Sequence, residues 1–455
     1  MTSPSPHVPS RGILARAARN AGMLLGGKGA AGVMQLGTFA LAARGLGLEG
    51  FGTFSVLIAQ VMVLTGLAAF DTNQAIIRYG VGHLASGDRP AIQGLFKAGT
   101  LLDFGAATLA ALATILIAPF IGRRLGWGPD LILMAQCIAP LSFANAYSTP
   151  KGMLRLFNRF DLLTAYAVVT PAMRLILIGV LTLLHLGLGW YLAAWLVAGM
   201  CGEVTVLWMA WREAHRRELL GGLTRSLRAL SAQNPGVWRF SIVSNLHSSL
   251  SMIPTQLAVV LVGWKLGEAA AGLFRIARET GTGMMKPVDL VNQAVYPDMT
   301  RLVQAGSWRR LTRTAVRAGL AAGAIGAALT AAIWLAGDTI VSATFGKAYV
   351  GATPVLIAVC AATSLRVLAF AADPVMYAFG RPSVPLRIAA VSSGLFVLLM
   401  LWRLPLDGLI GAGWAFMGMS VVGALLSTVF AVRMVRRAAT GKAEVPREPV
   451  ESVAD

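Results

Sequence analysis

Residues 46–54 read LGLEGFGTF, and residues 266–274 read LGEAAAGLF. The two stretches share Leu, Gly, Gly and Phe at identical spacing, 220 residues apart, and each follows a long apolar run. The same offset relates Arg19, which precedes the first run, to Arg239, which precedes the second. A motif that recurs at half the chain length, in the same position relative to apolar segments, indicates a duplicated membrane architecture.

The composition also indicates a membrane protein. Of the 455 residues, 56% are hydrophobic and 13% are charged, and the mean hydropathy is +0.68. This is more apolar surface than a soluble chain of this length can bury. The net charge of +19 does not indicate nucleic acid as a partner, because the basic residues separate apolar segments and form no single basic domain. The three cysteines lie within apolar runs and match neither a metal site nor a disulfide framework.

Twelve apolar segments are long enough to cross the hydrocarbon core, which takes roughly 20 residues. They divide six and six, as the repeat requires. The sequence therefore predicts an all-α integral membrane protein of about 12 transmembrane helices in two six-helix repeats. The segments are 20–43, 51–73, 98–121, 131–150, 162–184, 189–210, 240–263, 271–296, 317–336, 352–372, 384–402 and 409–432.

Basic residues alternate between the two sides of the membrane. When residues at span edges are counted with the adjoining loop, the termini and even-numbered loops hold 27 Lys and Arg, against 6 in the odd-numbered loops. The positive-inside rule therefore predicts that both termini are cytoplasmic. The predicted domains are an N-terminal tail (1–19), an N-lobe (20–210), a basic linker (211–239), a C-lobe (240–432) and a C-terminal tail (433–455).

Two short segments allow more than one interpretation. The linker has leucines at helical spacing with arginines around them, which fits an amphipathic helix on the cytoplasmic leaflet and a solvated linker equally well. The N-terminal arginines and apolar run could also form a signal peptide. We favour a membrane span there, because the run is long, contains Lys28 and has a counterpart at mid-chain.

Six basic residues lie within the predicted spans, where each costs roughly 2.5–3.5 kcal/mol at the bilayer centre. They are therefore expected to face protein or water, which implies a polar cavity. These residues are Lys28, Arg174, Arg275, Arg278, Lys286 and Arg366. Arg174 and Arg366 stand on otherwise apolar helices, so a structural role is as well supported for them as a functional one.

The eighth span carries a polar stripe. At 100° per residue, seven polar residues fall within an arc of about 100°: Arg275, Arg278, Glu279, Thr282, Lys286, Asp289 and Gln293. The alternative is that these charges neutralise one another in helix packing. We favour a cavity-lining helix, because three cations face two anions, and the seventh span adds a polar face that includes Asn245. A net cationic cleft selects an anionic ligand, and phosphate suits arginine through paired hydrogen bonds.

Short motifs spread along nearly the whole chain support a family resemblance. They are Arg19-Asn20, AARGLG (42–47) with GFGTFS (50–55), Phe70-Asp71 with Arg78, Lys151-Gly152 with NRFD (158–161), GLFRIA (272–277), Pro297 and GRP (380–382). Each is weak alone. Together and in this order they resemble the polysaccharide-export branch of the multidrug, oligosaccharidyl-lipid and polysaccharide exporter superfamily.

The resemblance implies two six-helix lobes forming a V-shaped transporter in the bacterial cytoplasmic (inner) membrane. By alternating access, such a flippase carries an undecaprenyl-pyrophosphate-linked oligosaccharide from the inner to the outer leaflet, for exopolysaccharide, capsule or O-antigen synthesis. Lys28, Arg275, Arg278 and Lys286 would then contact the pyrophosphate. Arg174, Arg366 and Asn245 are further candidates for substrate binding.

The implied coupling ion is Na+ or H+, and no metal or other cofactor is expected. Membrane-embedded carboxylates would bind that ion, and the candidates are Asp103, Glu203, Glu279 and Asp289. The expected partners are the lipid-linked oligosaccharide, membrane lipids, a polysaccharide polymerase and glycosyltransferases.

Two other functions compete with export of a lipid-linked saccharide. A multidrug exporter of the same superfamily would gather carboxylates and aromatic residues for organic cations, whereas this stripe is net basic. A membrane-embedded polymerase or glycosyltransferase would need a sizeable external loop with acid or base groups, and every odd-numbered loop is short. The sequence shows no catalytic constellation, so we expect the protein not to be an enzyme.

Overall fold

The computed structural model describes residues 10–146, 148–220, 234, 236–283, 299, 302–303, 305–379 and 383–440. These residues are largely helical, and no strand occurs among them. The α-helices are α1 (Ser10–Ala68), α2 (Thr72–Ser86), α3 (Arg89–Leu125), α4 (Pro129–Cys137), α5 (Phe143–Ala146), α6 (Thr149–Leu156), α7 (Phe160–Leu183), α8 (Leu188–Arg216), α9 (Val237–Met252), α10 (Ala258–Leu266), α11 (Glu268–Gly283), α12 (Trp308–Thr344), α13 (Thr353–Leu368), α14 (Ala372–Ala378), α15 (Ser383–Asp407) and α16 (Leu409–Ala439). A π-helical turn, Ile253–Leu257, joins α9 to α10.

The predicted spans coincide with helices in the described residues. Eight helical stretches there are long and apolar enough to cross a bilayer, and one of them, Gly26–Ser86, contains most of the first predicted span and all of the second. Shorter apolar helices at Pro129–Ser142 and Ile253–Leu266 fall in spans four and seven, and α11 begins span eight. The prediction of an all-α membrane protein is confirmed. The predicted amphipathic helix of the linker lies outside the described residues.

Each copy of the repeated motif begins with a turn that favours glycine. Gly47 has φ 69° and ψ −177°, and Gly267 has φ 87° and ψ 175°. This backbone region is nearly restricted to glycine, because a Cβ would clash with the chain itself. Gly47 kinks α1 into two helices, and Gly267 separates α10 from α11. The phenylalanines that end the motif, Phe54 and Phe274, are fully buried.

The second glycine of each copy lies where the two copies pack against each other. A Cβ on Gly52 would lie 1.9 Å from the carbonyl oxygen of Glu268. A Cβ on Gly272 would lie 3.1 Å from the carbonyl oxygen of Leu48 and 3.2 Å from the Gly52 nitrogen. Backbones can approach this closely only where no side chain intervenes. The repeat is therefore a packing motif whose two copies contact each other.

The described residues group into two compact units. Unit 1 lies within Met1–Thr38, Leu64–Phe120 and Pro129–Leu246, and unit 2 lies within Phe39–Val63, Ile121–Gly128 and His247–Asp455. Unit 2 thus includes two segments of the predicted N-lobe. From these segments, Thr53 Oγ1 and Trp127 Nε1 each donate a hydrogen bond to the Glu268 carboxylate, both at 2.5 Å. The predicted lobe boundaries stay a prediction.

Candidate functional site

Unit 2 contains a partly polar cavity of about 360 Å3. Its walls come from α9, the π turn, α11, α13, α14, α15 and α16. This volume is within the range of small-molecule sites. The polar side chains that line the cavity are Thr255, Thr282, Arg366, Asp373, Ser392, Ser393 and Ser427.

The π turn shapes one wall of this cavity. It contains Pro254, which has no N–H and so cannot donate to the carbonyl of Leu250, four residues earlier. The Ser393 hydroxyl of α15 donates to that carbonyl instead, at 3.4 Å. A proline within the seventh span therefore accounts for the break in the helix, and a serine from another helix satisfies the backbone group that it leaves.

The π turn also supplies oxygens to two buried arginines of α11. Arg275 Nη1 donates to the Gln256 side-chain oxygen at 2.9 Å, and Arg278 Nη1 donates to the Thr255 carbonyl at 2.5 Å. Both guanidinium groups pair with the carboxylate of Glu279, which lies 3.2 Å from Arg275 Nη2. Two cations thus share one anion. This part of the predicted stripe is buried in helix packing, and only Thr282 of the described stripe residues lines the cavity.

The hydroxyls around the cavity use their protons within the protein. The hydroxyl of Thr255 donates to the Met252 carbonyl (3.0 Å), that of Thr282 to Arg278 (2.7 Å), that of Ser392 to Ile388 (2.6 Å) and that of Ser427 to the Asp373 carboxylate (3.3 Å). A hydroxyl has one donor and two acceptor lone pairs. The lone pairs of these hydroxyl oxygens therefore stay available as acceptors for hydroxyl or amide N–H groups of a ligand.

Arg366 is the predicted cation that lines the cavity. It stands near the end of α13, its side chain is exposed, and it makes no ion pair or side-chain hydrogen bond with any residue that the structure describes. Asp373 of α14 lines the same cavity with a carboxylate that the sequence had not indicated. The serines Ser392, Ser393 and Ser427 were also missed, although polar residues in the middle of apolar spans are a signal that could have found them.

The other predicted substrate-binding residues lie elsewhere. The Arg174 guanidinium stacks 3.9 Å from the centre of the Trp195 ring in unit 1, and its Nε has no hydrogen-bond partner among the described residues. Lys28 is exposed on α1, and Asn245 is half-buried on α9. None of these three residues lines the unit 2 cavity. Lys286 and Asp289 lie outside the described residues, so their predicted roles stay predictions.

Asp103 is a fully buried carboxylate in α3 of unit 1. It accepts hydrogen bonds from the backbone N–H groups of Ser148 and Thr149, at 3.0 and 2.8 Å, where α6 begins. The Thr72 hydroxyl is a third donor at 2.9 Å. These donors are neutral, and the carboxylate sits at a helix N-terminus, where a negative charge is favoured.

Glu203 of α8 has different partners. Its Oε1 accepts from Lys151 Nζ and from the Tyr166 hydroxyl, both at 2.7 Å, while Oε2 is buried and has no hydrogen-bond partner in the described chain. Of the three predicted coupling carboxylates that the structure describes, Glu203 and Glu279 are therefore ion-paired with basic residues, and Asp103 accepts the neutral donors given above.

Comparisons with known proteins identify the family. Residues 17–303 match the family described as polysaccharide biosynthesis protein. The inner membrane protein YghQ of Escherichia coli (strain K12) is 28% identical over 322 residues, which cover 70% of this chain and 89% of that protein.

Solved structures share the fold at lower sequence identity. A multidrug resistance MATE family transporter of the MOP superfamily, in an inward-facing conformation, matches with a TM-score of 0.69 and 15% identity, over 92% of this chain and 96% of that one. A MOP superfamily transporter from Pyrococcus furiosus, whose binding pocket is described as having reverse polarity, matches with a TM-score of 0.64 and 14% identity, over 93% and 96%. The protein is thus a multi-pass membrane protein with the MATE transporter fold. Because the family match extends over more than half of its length, the chain belongs to the polysaccharide biosynthesis protein family.

Proposed function

We propose that this protein is a flippase that carries an undecaprenyl-pyrophosphate-linked oligosaccharide from the inner to the outer leaflet of the bacterial cytoplasmic membrane. The single observation that carries the proposal is the unit 2 cavity, where Arg366 stands among serine and threonine hydroxyls. The product would serve exopolysaccharide, capsule or O-antigen synthesis. The family match to polysaccharide biosynthesis proteins and the inner membrane location in the name of YghQ support this assignment.

The chemistry of the cavity suits a phosphorylated sugar. Arg366 offers N–H donors and a positive charge to phosphate oxygens, which arginine binds through paired hydrogen bonds. The lining hydroxyls donate their protons to groups of the protein, so their oxygens can accept hydrogen bonds from the hydroxyls of a sugar. A ligand with both a negative charge and several O–H groups can therefore bind Arg366 and the lining hydroxyls together.

Transport of such a lipid has a driving force available. An inside-negative membrane potential favours outward movement of a negative headgroup by about 2.3 kcal/mol per charge per 100 mV. Coupling to Na+ or H+ is assigned to Asp103, because its bonded partners are neutral side-chain and backbone groups and the ion would supply the missing positive charge. Both termini are assigned to the cytoplasm on the distribution of Lys and Arg.

The test replaces the cavity arginine. We expect Arg366→Gln to slow the flipping of a fluorescent undecaprenyl-pyrophosphate oligosaccharide in proteoliposomes by about 10- to 100-fold, since a hydrogen bond to a charged group contributes about 1.5–3 kcal/mol. Arg433→Gln is the matched control, because Arg433 is an exposed arginine of α16 in the same unit and does not line the cavity. Chemical quenching of the fluorophore in the outer leaflet measures the rate.

Two results would count against the proposal. If Arg366→Gln and Arg433→Gln variants of equal thermal stability flip the lipid as fast as the unmodified protein, Arg366 does not bind the headgroup. If the protein transports cationic dyes and does not flip the lipid, the multidrug exporter is the better assignment.

A further inference from the structure

A second cavity of about 390 Å3 lies in unit 2, and its lining is mostly apolar. Small and branched side chains from α12, α13, α14 and α16 form its walls, and among the described residues its polar lining groups are Thr312, Thr428 and Arg436. Three of its large apolar side chains are well exposed: Leu368 at 43%, Val316 at 52% and Val432 at 41%. Exposed apolar side chains on a membrane-spanning helix are typical of a surface that faces lipid. We call this cavity the apolar groove.

The apolar groove adjoins the polar cavity. Ala369 lines both, and the chain from Arg366 to Val375 forms the partition between them. Along this stretch, Arg366 and Asp373 line the polar cavity, whereas Leu368 and Ala372 line the groove. The two spaces are thus separated by the turn between α13 and α14.

The partition continues on the neighbouring helix. Ser427 and Thr428 are adjacent in α16, but Ser427 lines the polar cavity and Thr428 lines the groove. A ligand that occupies both spaces must therefore be polar at one end and apolar at the other. The groove suits a hydrocarbon chain. Such a chain needs no hydrogen-bond partner and packs favourably against alanine and valine side chains.

The groove lies near particular ends of its helices. Its α12 residues belong to the first three turns of that helix, and its α16 residues, with Arg436, belong to the last turns. In the predicted topology both ends face the cytoplasm. A cation at this depth attracts the phosphates of the inner leaflet, so the groove opens where a lipid would be loaded.

We propose that the apolar groove holds the first part of the polyprenyl chain of the lipid whose phosphorylated headgroup occupies the polar cavity. The inference rests on the proposed function and extends it, because it assigns a site to the hydrocarbon as well as to the headgroup. It follows from the shared Ala369 and from the opposite polarity of the two spaces. An ordinary phospholipid is the competing occupant.

The experiment uses photocrosslinking of the full-length protein in nanodiscs. The probe is a polyprenyl pyrophosphate with a diazirine on the part of the chain nearest the pyrophosphate, and mass spectrometry locates the adducts. We expect adducts concentrated on residues 311–316 and 428–436. Excess undecaprenyl pyrophosphate should reduce them at least tenfold, and excess phosphatidylglycerol should not.

A pair of variants tests the groove itself. Ala315→Phe fills the groove, whereas Ala324→Phe places the same side chain on an exposed position of α12 outside it. We expect Ala315→Phe to lower the specific adducts at least tenfold and Ala324→Phe to leave them unchanged. Thermal melting of both variants confirms that each is folded.

The outcomes separate this inference from the proposed function. Adducts spread evenly over the lipid-facing surface, adducts competed equally by phosphatidylglycerol, or equal effects of the two alanine variants would overturn the groove assignment while Arg366→Gln still slows flipping. The opposite result is specific adducts in the groove together with flipping that Arg366→Gln does not slow. That result would support the groove assignment and contradict the headgroup site at Arg366.

Discussion

Replacing Gly52 by alanine should destabilise the protein more than the same change at Gly272 or Gly394. The new Cβ would lie 1.9 Å from the carbonyl oxygen of Glu268 and 2.4 Å from its carbonyl carbon. Both atoms belong to the backbone of α11, so no side-chain rotation can relieve the contact. The two copies of the repeated motif would have to separate by more than an ångström.

The expected loss of stability can be worked out from the contacts that this separation breaks. Overpacking a tightly packed contact costs typically about 1–3 kcal/mol. Separation also lengthens the hydrogen bond from Thr53 Oγ1 to the Glu268 carboxylate, now 2.5 Å, and such charge-assisted bonds contribute about 1.5–3 kcal/mol. We expect a total loss near 4 kcal/mol. At about 2 °C per kcal/mol for a large domain, the melting temperature should fall by roughly 8 °C.

The two other glycines provide the controls. Gly272→Ala meets backbone atoms at 3.1 to 3.3 Å and should cost less than Gly52→Ala. Gly394 lies in α15, and a Cβ there meets nothing within 4 Å. Gly394→Ala should therefore be neutral or stabilising by up to about 1 kcal/mol, the helix propensity difference between the two residues.

The assay is thermal unfolding in detergent, followed by intrinsic tryptophan fluorescence at one protein concentration. The expected order of melting temperatures is Gly394→Ala highest, then the unmodified protein, then Gly272→Ala, then Gly52→Ala. A Gly52→Ala variant that melts within about 2 °C of Gly394→Ala would refute the reasoning, because it would mean that the two motif copies do not contact each other at this position.

Three other predictions concern buried polar groups. Lys151→Met should cost about 3–5 kcal/mol, because it leaves the buried Glu203 carboxylate without its cation, and Lys151→Met with Glu203→Met should recover most of that loss in melting temperature. Tyr349→Phe should cost about 1–3 kcal/mol, because its hydroxyl shares one proton between the backbone carbonyl oxygens of Ala43 (2.9 Å) and Gly47 (2.8 Å), which would both lose it. Asp103→Asn should keep the fold but make flipping in proteoliposomes independent of the ion gradient, and unchanged ion dependence would contradict the coupling role.

The sequence predicted most of the helical spans because they leave a strong, local signal. Runs of about 20 apolar residues and the alternation of Lys and Arg need no knowledge of tertiary contacts. The repeated motif was found for the same reason, since its glycines and phenylalanines recur at fixed spacing. The role of the motif could not be read from the sequence, because Gly52 packs against the backbone of Glu268, a residue more than 200 positions away, so closely that an added Cβ would lie 1.9 Å from its carbonyl oxygen.

The candidate site was predictable only in part. Helical periodicity placed Arg275, Arg278 and Glu279 on one face, but it could not say that this face is buried and that both arginines share the carboxylate. The reason is that the Pro254 turn of another helix supplies their remaining oxygens. Arg366 was identified because a charge within an apolar span is costly. Asp373 was missed because it follows the predicted end of its span at residue 372, and the lining serines were missed because a single hydroxyl costs little there.

The described charges around the cavity bear on the sign of the ligand that we propose. Arg366 and Asp373 line the cavity, and behind its wall Arg275 and Arg278 share Glu279. These five groups carry three positive and two negative formal charges. Among the described residues this is an excess of one positive charge, which attracts an anionic ligand and repels a cationic one. The MATE fold alone does not determine the ligand, and this excess of positive charge supports the phosphate-bearing ligand that we propose.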